Sequence, residues 1–163
     1  MSLQNKRIVI LGGSSGIGLA TAQAVAREGA RLVIASSRQT SVDRALATLP
    51  AGSEGHVLDL SDEAAVRALF VLLGPFDHLV YTAGENIRLG LLSATDIAAA
   101  ERFWRIRYWG AFMAAKYGSP NLNENGSITL TSGLAEGCAG AASPCWPRSW
   151  RREILPARGK SWG

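Results

Sequence analysis

Seven residues near the start of the chain, Gly12-Gly13-Ser14-Ser15-Gly16-Ile17-Gly18, have the types and spacing to hold an anion with backbone alone. One glycine lets the chain turn sharply. Another lets the main chain approach a pyrophosphate, and a third lets a helix pack closely on a strand. The segment follows the apolar run Arg7-Ile8-Val9-Ile10-Leu11 and opens the alanine-rich stretch Leu19 to Glu28. Strand, glycine turn and helix in that order is the setting of a dinucleotide site. The unpaired N–H groups of the first helical turn face the phosphates, and the helix dipole favours their charge. On this reading Gly12, Ser14, Ser15, Gly16, Ile17 and Gly18 line the cofactor. An ordinary tight loop is the plain alternative.

About 20 residues beyond such a turn, an acid would bond the ribose 2′-hydroxyl of NAD. Here the chain reads Ser36-Ser37-Arg38-Gln39, with no acid before Asp43. Arg38 offers a forked, charge-assisted partner for a 2′-phosphate, and Ser37 a hydroxyl donor. The prediction is NADP over NAD; a merely solvated Arg38 is the alternative.

Positioning these groups requires alternating strands and helices. Strands are expected at Ile8–Leu11, Arg31–Ser36, Gly55–Leu58, Asp77–Tyr81 and Ser127–Thr131. Helices are expected at Ser15–Glu28, stopped by Gly29, and at Ser41–Leu49, stopped before Pro50. Ser61-Asp62-Glu63 reads as a cap leading a helix over 62–73, with Val66, Leu69, Phe70 and Leu73 as its apolar stripe. A long helix is predicted over Asp96–Tyr117, where Ile97, Ala100, Trp104, Tyr108, Ala111, Phe112 and Ala115 recur at three and four residues. Five strands so interleaved predict a doubly wound, Rossmann-type parallel α/β sheet.

The 163 residues suit one domain with a substantial core. No apolar run reaches the ~18 residues of a membrane span, and Met1 to Lys6 lacks a secretory segment. A cytoplasmic location is expected. Seventeen basic and 13 acidic residues give a net charge of +4. Residues 1–132 carry twelve basic against eleven acidic, and residues 133–163 five against two. No basic face is built on the main body, so neither nucleic acid nor membrane is expected as a partner. Cys138 and Cys145 form no CxxC pair and are read as free thiols, and no metal site is expected. From Gly133 onward glycine, proline, tryptophan, arginine and cysteine show no period. The division is therefore a dinucleotide-binding domain over 1–132 and an irregular basic tail over 133–163.

Several motifs in order resemble the short-chain dehydrogenase/reductase family over residues 6–132. The glycine turn is similar to that family's TGxxxGxG, with Gly12 in place of the threonine. His56-Val57-Leu58-Asp59-Leu60 resembles its third strand, after which an aspartate contacts the adenine; this implies Asp59, with Leu60 beside it. Tyr81-Thr82-Ala83-Gly84 resembles its Asn-Asn-Ala-Gly motif, implying cofactor contacts at Thr82, Ala83 and Gly84. Gly126-Ser127-Ile128-Thr129-Leu130-Thr131-Ser132 resembles the fifth strand, which ends at an active-site serine, here Ser132. Asp59 as a loop cap, Thr82–Gly84 as a plain strand end and Ser132 as any strand-end serine are the bland readings.

The resemblance also implies a Tyr-x-x-x-Lys pair on the next helix to move a proton while hydride is transferred. Four residues after Tyr81, Tyr108 and Tyr117 stand Glu85, Phe112 and Asn121, and residues 145–149 read Cys-Trp-Pro-Arg-Ser. A relay asparagine, expected three residues before Gly110, is replaced by Arg107. Lys116 reads as a surface lysine. The abrupt loss of pattern suggests a truncated or frame-shifted chain lacking the later strands and helices of the full fold. The family function is NAD(P)-dependent hydride transfer between a small carbonyl and an alcohol, with weak or no turnover expected of this chain. A non-catalytic dinucleotide-binding domain and an interaction module are the alternatives. A homo-oligomer through helix 96–117 is expected, since Trp104, Tyr108 and Phe112 lack a covering helix. Thr95-Asp96 and Glu85 to Leu92 are candidates for the substrate side.

Overall fold

The computed structural model describes residues 2–84, 93 and 96–131. Ser132, both cysteines, the tail and the stretch 85–92 with Thr95 lie outside them. The chain divides into two units, residues 1–85 with 102–131, and 86–101 with 132–163. In the second, the described part is the start of a helix, where the Asp96 carboxylate accepts the Ala99 N–H at 2.7 Å.

The first unit holds β1 (Arg7–Leu11), α1 (Gly16–Arg27), β2 (Arg31–Ser36), α2 (Gln39–Leu46), β3 (Glu54–Val57), α3 (Glu63–Leu73) and β4 (Phe76–Tyr81). After α4 (Ile97–Trp104) come a π-helical turn (Arg105–Gly110), α5 (Ala111–Gly118) and β5 (Leu122–Leu130). The strands form one parallel sheet in the order β3-β2-β1-β4-β5. That order reverses direction at β1: the chain moves outward to β2 and β3, then returns to β4 on the other side. In open sheets of this kind, ligands bind beyond the strand ends at that reversal.

Alternation along the strands feeds two cores. Ile8, Ile10, Leu32 and Ile34 point to the face covered by α1 and α2, with Ala22 and Ala45. Val9, Leu11, Val33, Phe76, Leu79 and Tyr81 point to the other, against Val66, Leu69, Phe70 and Leu73 of α3 and Met113 and Ala114 of α5. The predicted stripe of α3 is buried as expected. Asp62, rather than Ser61, caps that helix, its carboxylate accepting the Ala64 N–H at 2.9 Å and the Ala65 N–H at 3.2 Å.

Two expectations are corrected. The uniform helix 96–117 is interrupted by the π turn. A π turn adds a residue to the spiral and rotates the residues beyond it. Along it the buried positions are Gly110, Met113, Ala114 and Gly118, while Trp104, Tyr108 and Phe112 are 58%, 54% and 53% exposed, in line with the expectation that they lack a covering helix. Gly110 fixes the approach, because a Cβ there would overlap the Tyr81 hydroxyl. The fifth strand begins at Leu122 rather than Ser127. Leu122 pairs with Phe76 and Ser127 with His78, and Asn125 turns the intervening chain at φ 62°.

At the opposite end of the strands, Asp77 accepts the Arg7 N–H at 2.8 Å and the Lys6 ammonium at 3.0 Å. The Arg7 amide is the main cause that holds its carboxyl down at about 2, with burial opposing and Lys6 assisting. A depressed carboxylate contributes stability that is present above its unfolded pKa near 3.8 and lost as pH falls toward 2. Asp77→Asn is therefore expected to lower stability by about 1–2 kcal/mol at pH 7. The wild-type advantage in urea midpoint should vanish between pH 4 and 2. An advantage that persists at pH 2 would assign it to packing rather than charge.

Candidate functional site

The glycine turn is built by close approaches that only hydrogen can satisfy. Gly12 sits at φ +89°, its N–H donating to Ala35 at 2.9 Å, and a Cβ there would lie 2.6 Å from the Ala83 nitrogen. At Gly18 a Cβ would overlap the Gly12 carbonyl oxygen and stand 2.5 Å from Thr82 Oγ1. The turn after β1 is thus pressed against the segment after β4, and Thr82 secures the contact by donating its N–H to Leu11 at 2.8 Å. Thr131 in turn donates its hydroxyl to the Tyr81 carbonyl at 2.9 Å, bracing that strand end from β5.

On its outer side the turn is open. A Cβ at Gly16, φ +51°, would meet nothing within 4 Å, and Ile17 is 73% exposed. Ser15 precedes α1 in extended backbone without a side-chain cap, and the first turn carries no acid. A 12-residue helix therefore presents uncapped N–H groups to an open space walled by glycine. That is a cradle into which a pyrophosphate fits, and added Cβ atoms would remove it.

At the end of β2, Ser36 accepts a hydrogen bond from Ser14 at 2.8 Å, tying the glycine turn to the 36–38 segment. The sequence did not mark this pair, whose members are 22 residues apart. Ser37 and Arg38 are exposed, and the Arg38 side chain has no ion pair or hydrogen bond among the described residues. Asp43, the nearest acid downstream, is held by Gln39 at 2.7 Å within α2.

Asp59 is exposed, its Oδ1 accepting the Ser61 N–H at 2.8 Å and hydroxyl at 2.7 Å. These bonds hold its carboxyl below the usual carboxylate range. It is a loop cap in this structure, with its second oxygen turned to no partner among the described residues. Leu60 is a core residue, 7% exposed, so its side chain packs inward rather than toward a ligand. Lys116 is exposed and bonded to Glu63 at 3.2 Å, a surface contact between α5 and α3.

Arg107 also reaches this end of the sheet. A Cβ at Gly84 would lie 2.8 Å from its guanidinium carbon, which stands 4.6 Å from the centre of the Phe103 ring. Beneath it, Tyr81 donates its hydroxyl to the Ile106 carbonyl. Burial pushes the Tyr81 phenol well above its ordinary value, with Arg107 opposing. Tyr81 is thus a neutral, buried strut. Gly12, Gly18, Thr82, Ala83, Gly84 and Arg107 lie together beyond the ends of β1 and β4, at the reversal of the sheet. Ser37, Arg38 and Asp59 follow the ends of β2 and β3.

The short chain dehydrogenase family model matches residues 6–145. The chain is 36% identical to the short-chain dehydrogenase/reductase ucsE of an Acremonium species, over 82% of this chain and 58% of that one. It is 33% identical to the human mitochondrial dehydrogenase/reductase SDR family member 2, over 82% and 50%. A crystal structure of a small-chain dehydrogenase in complex with NADPH aligns with TM-score 0.59 at 32% identity, covering 81% of this chain and 52% of that one. The MalC reductase/Diels-Alderase of Malbranchea aurantiaca aligns with TM-score 0.71 at 29% identity, covering 83% and 59%. The chain spans little more than half the length of these relatives. With a parallel sheet reversed at β1 and a glycine turn locked against the β4 end, this chain belongs to the short-chain dehydrogenase family.

Proposed function

We propose that this chain is the dinucleotide-binding part of an NADP-dependent oxidoreductase that interconverts a small carbonyl compound and its alcohol. The observation that carries this is the open, uncapped N-terminus of α1 beside Arg38, which faces no carboxylate among the described residues. Gly12, Ser14, Ser15, Gly16, Ile17 and Gly18 hold the pyrophosphate, and Ser37 and Arg38 hold the 2′-phosphate. Asp59 reaches the adenine, Leu60 contributes through its main chain, and Thr82, Ala83 and Gly84 floor the crevice. When bound, the nicotinamide supplies or accepts hydride. The NADPH complex of a 32% identical relative supports this choice of cofactor.

Ser132 is the residue proposed to orient the substrate oxygen. Residues 1–132 act as the binding domain and 133–163 as a separate segment, in a cytoplasmic protein. No helix among the described residues is long and apolar enough to cross a membrane. Calorimetric titration tests the reading: NADPH should bind the chain with 1:1 stoichiometry and NADH far more weakly. Absence of binding by either would overturn it. Oxidation of NADPH with a panel of ketones and aldehydes should be slow, because no tyrosine has a lysine four residues on.

The partner proposed for helix 96–117 is a second copy of the chain. Trp104, Tyr108, Trp109 and Phe112 are each more than half exposed, and Trp109 stacks edge-on with Tyr108 at 5.1 Å and with Phe112 at 6.0 Å. An apolar patch of this kind favours association. Sedimentation should show a dimer that Trp109→Glu converts to monomer; a monomeric wild type at high concentration would refute it.

A further inference from the structure

Resting on the dinucleotide reading above, we propose that Arg107 makes this site bind the reduced nicotinamide cofactor more tightly than the oxidised one. A dinucleotide whose pyrophosphate lies at the Gly12–Gly18 turn has its adenosine end toward Ser37 and Arg38, after β2. Its other half must cross the reversal toward the end of β4. There Thr82, Ala83 and Gly84 form the ledge against which the turn is pressed, and the Arg107 guanidinium lies over the last of them.

Three features hold the guanidinium in place. Gly84 has no side chain to displace it, the Phe103 ring flanks it at 4.6 Å, and the π turn sets the helix backbone that carries it. Its charge is felt at this end of the sheet, where it opposes the effect of burial on Tyr81. An oxidised nicotinamide ring carries a positive charge and a reduced ring is neutral. A fixed cation near that end penalises the oxidised ring alone. At a separation of about 10 Å in a partly buried site, one unit charge changes affinity by roughly tenfold.

The test is titration of the purified chain with NADPH and with NADP+, followed by nucleotide fluorescence and calorimetry. Wild type should bind NADPH roughly tenfold tighter. Arg107→Gln should bring the two affinities within about twofold, chiefly by tightening NADP+, and Arg107→Lys should keep the preference. Arg107→Met serves the same purpose should the Gln variant not fold. Equal wild-type affinities, or a preference unchanged in the uncharged variants, would overturn the proposal while leaving the cofactor reading intact. Failure of both nucleotides to bind would instead remove the cofactor reading and this inference with it.

Discussion

Gly18→Ala is expected to lower stability by about 3 kcal/mol and to weaken NADPH binding more than tenfold. The added methyl would overlap the Gly12 carbonyl oxygen and stand 2.5 Å from Thr82 Oγ1. Two of its three closest neighbours are backbone atoms of Gly12, in the turn that follows β1, and the third is the Thr82 hydroxyl at the end of β4. Relief requires the turn to move away from the β4 end, which breaks the crevice. At the 2–4 °C per kcal/mol typical of a chain this long, Tm should fall by about 10 °C. Gly16→Ala is the informative contrast. Its Cβ meets nothing within 4 Å, so the left-handed backbone at φ +51° costs only about 1 kcal/mol. Yet that methyl enters the open space above α1, so nucleotide affinity should still fall about tenfold. Thermal melts and titrations of both variants separate the two roles. If Gly18→Ala melts like Gly16→Ala, the glycine there is not a packing contact.

The difference between these glycines was not visible in the sequence, although the turn itself was. A phosphate cradle made of backbone amides needs only glycines at fixed spacing after a strand, which is a local property. The same holds for β1, β2 and α3. Their apolar residues face cores supplied by immediate neighbours, and their predicted limits fall within a residue or two of those observed. The π turn was illegible for the opposite reason. Gly110, its last residue, meets Tyr81, 29 residues away, a tertiary contact that the spacing of apolar residues does not carry. The early start of β5 is similar. Polar Asn123-Glu124-Asn125 reads as loop, but Leu122 before it still pairs with Phe76, and Asn125 tolerates positive φ. Within the site, Arg107 against Gly84 and Ser14 against Ser36 are tertiary contacts. Composition marks neither, since an arginine on a helix or a serine at a strand end is commonplace.

Arg38→Ala should weaken NADPH binding about 30–100-fold and change NADH binding less than threefold. A charge-assisted hydrogen bond to phosphate is worth about 2–3 kcal/mol, and NADH has no 2′-phosphate to lose it. The structure favours a full effect. Arg38 is committed to no partner among the described residues, and Gln39 holds the nearest downstream acid, Asp43, at 2.7 Å. Because Arg38 is exposed, salt should screen the interaction. The wild-type preference for NADPH should therefore narrow between about 0.05 M and 0.5 M salt, while that of the alanine variant stays flat. Arg38→Asp carries the argument one step further. A carboxylate here would repel the 2′-phosphate and accept a hydrogen bond from the free 2′-hydroxyl, so selectivity should reverse toward NADH. Asp43→Ala, with its carboxylate already engaged inside α2, should leave both affinities within twofold. Equal losses of NADPH and NADH in Arg38→Ala would place the arginine on the shared part of the nucleotide and remove the basis for choosing NADP.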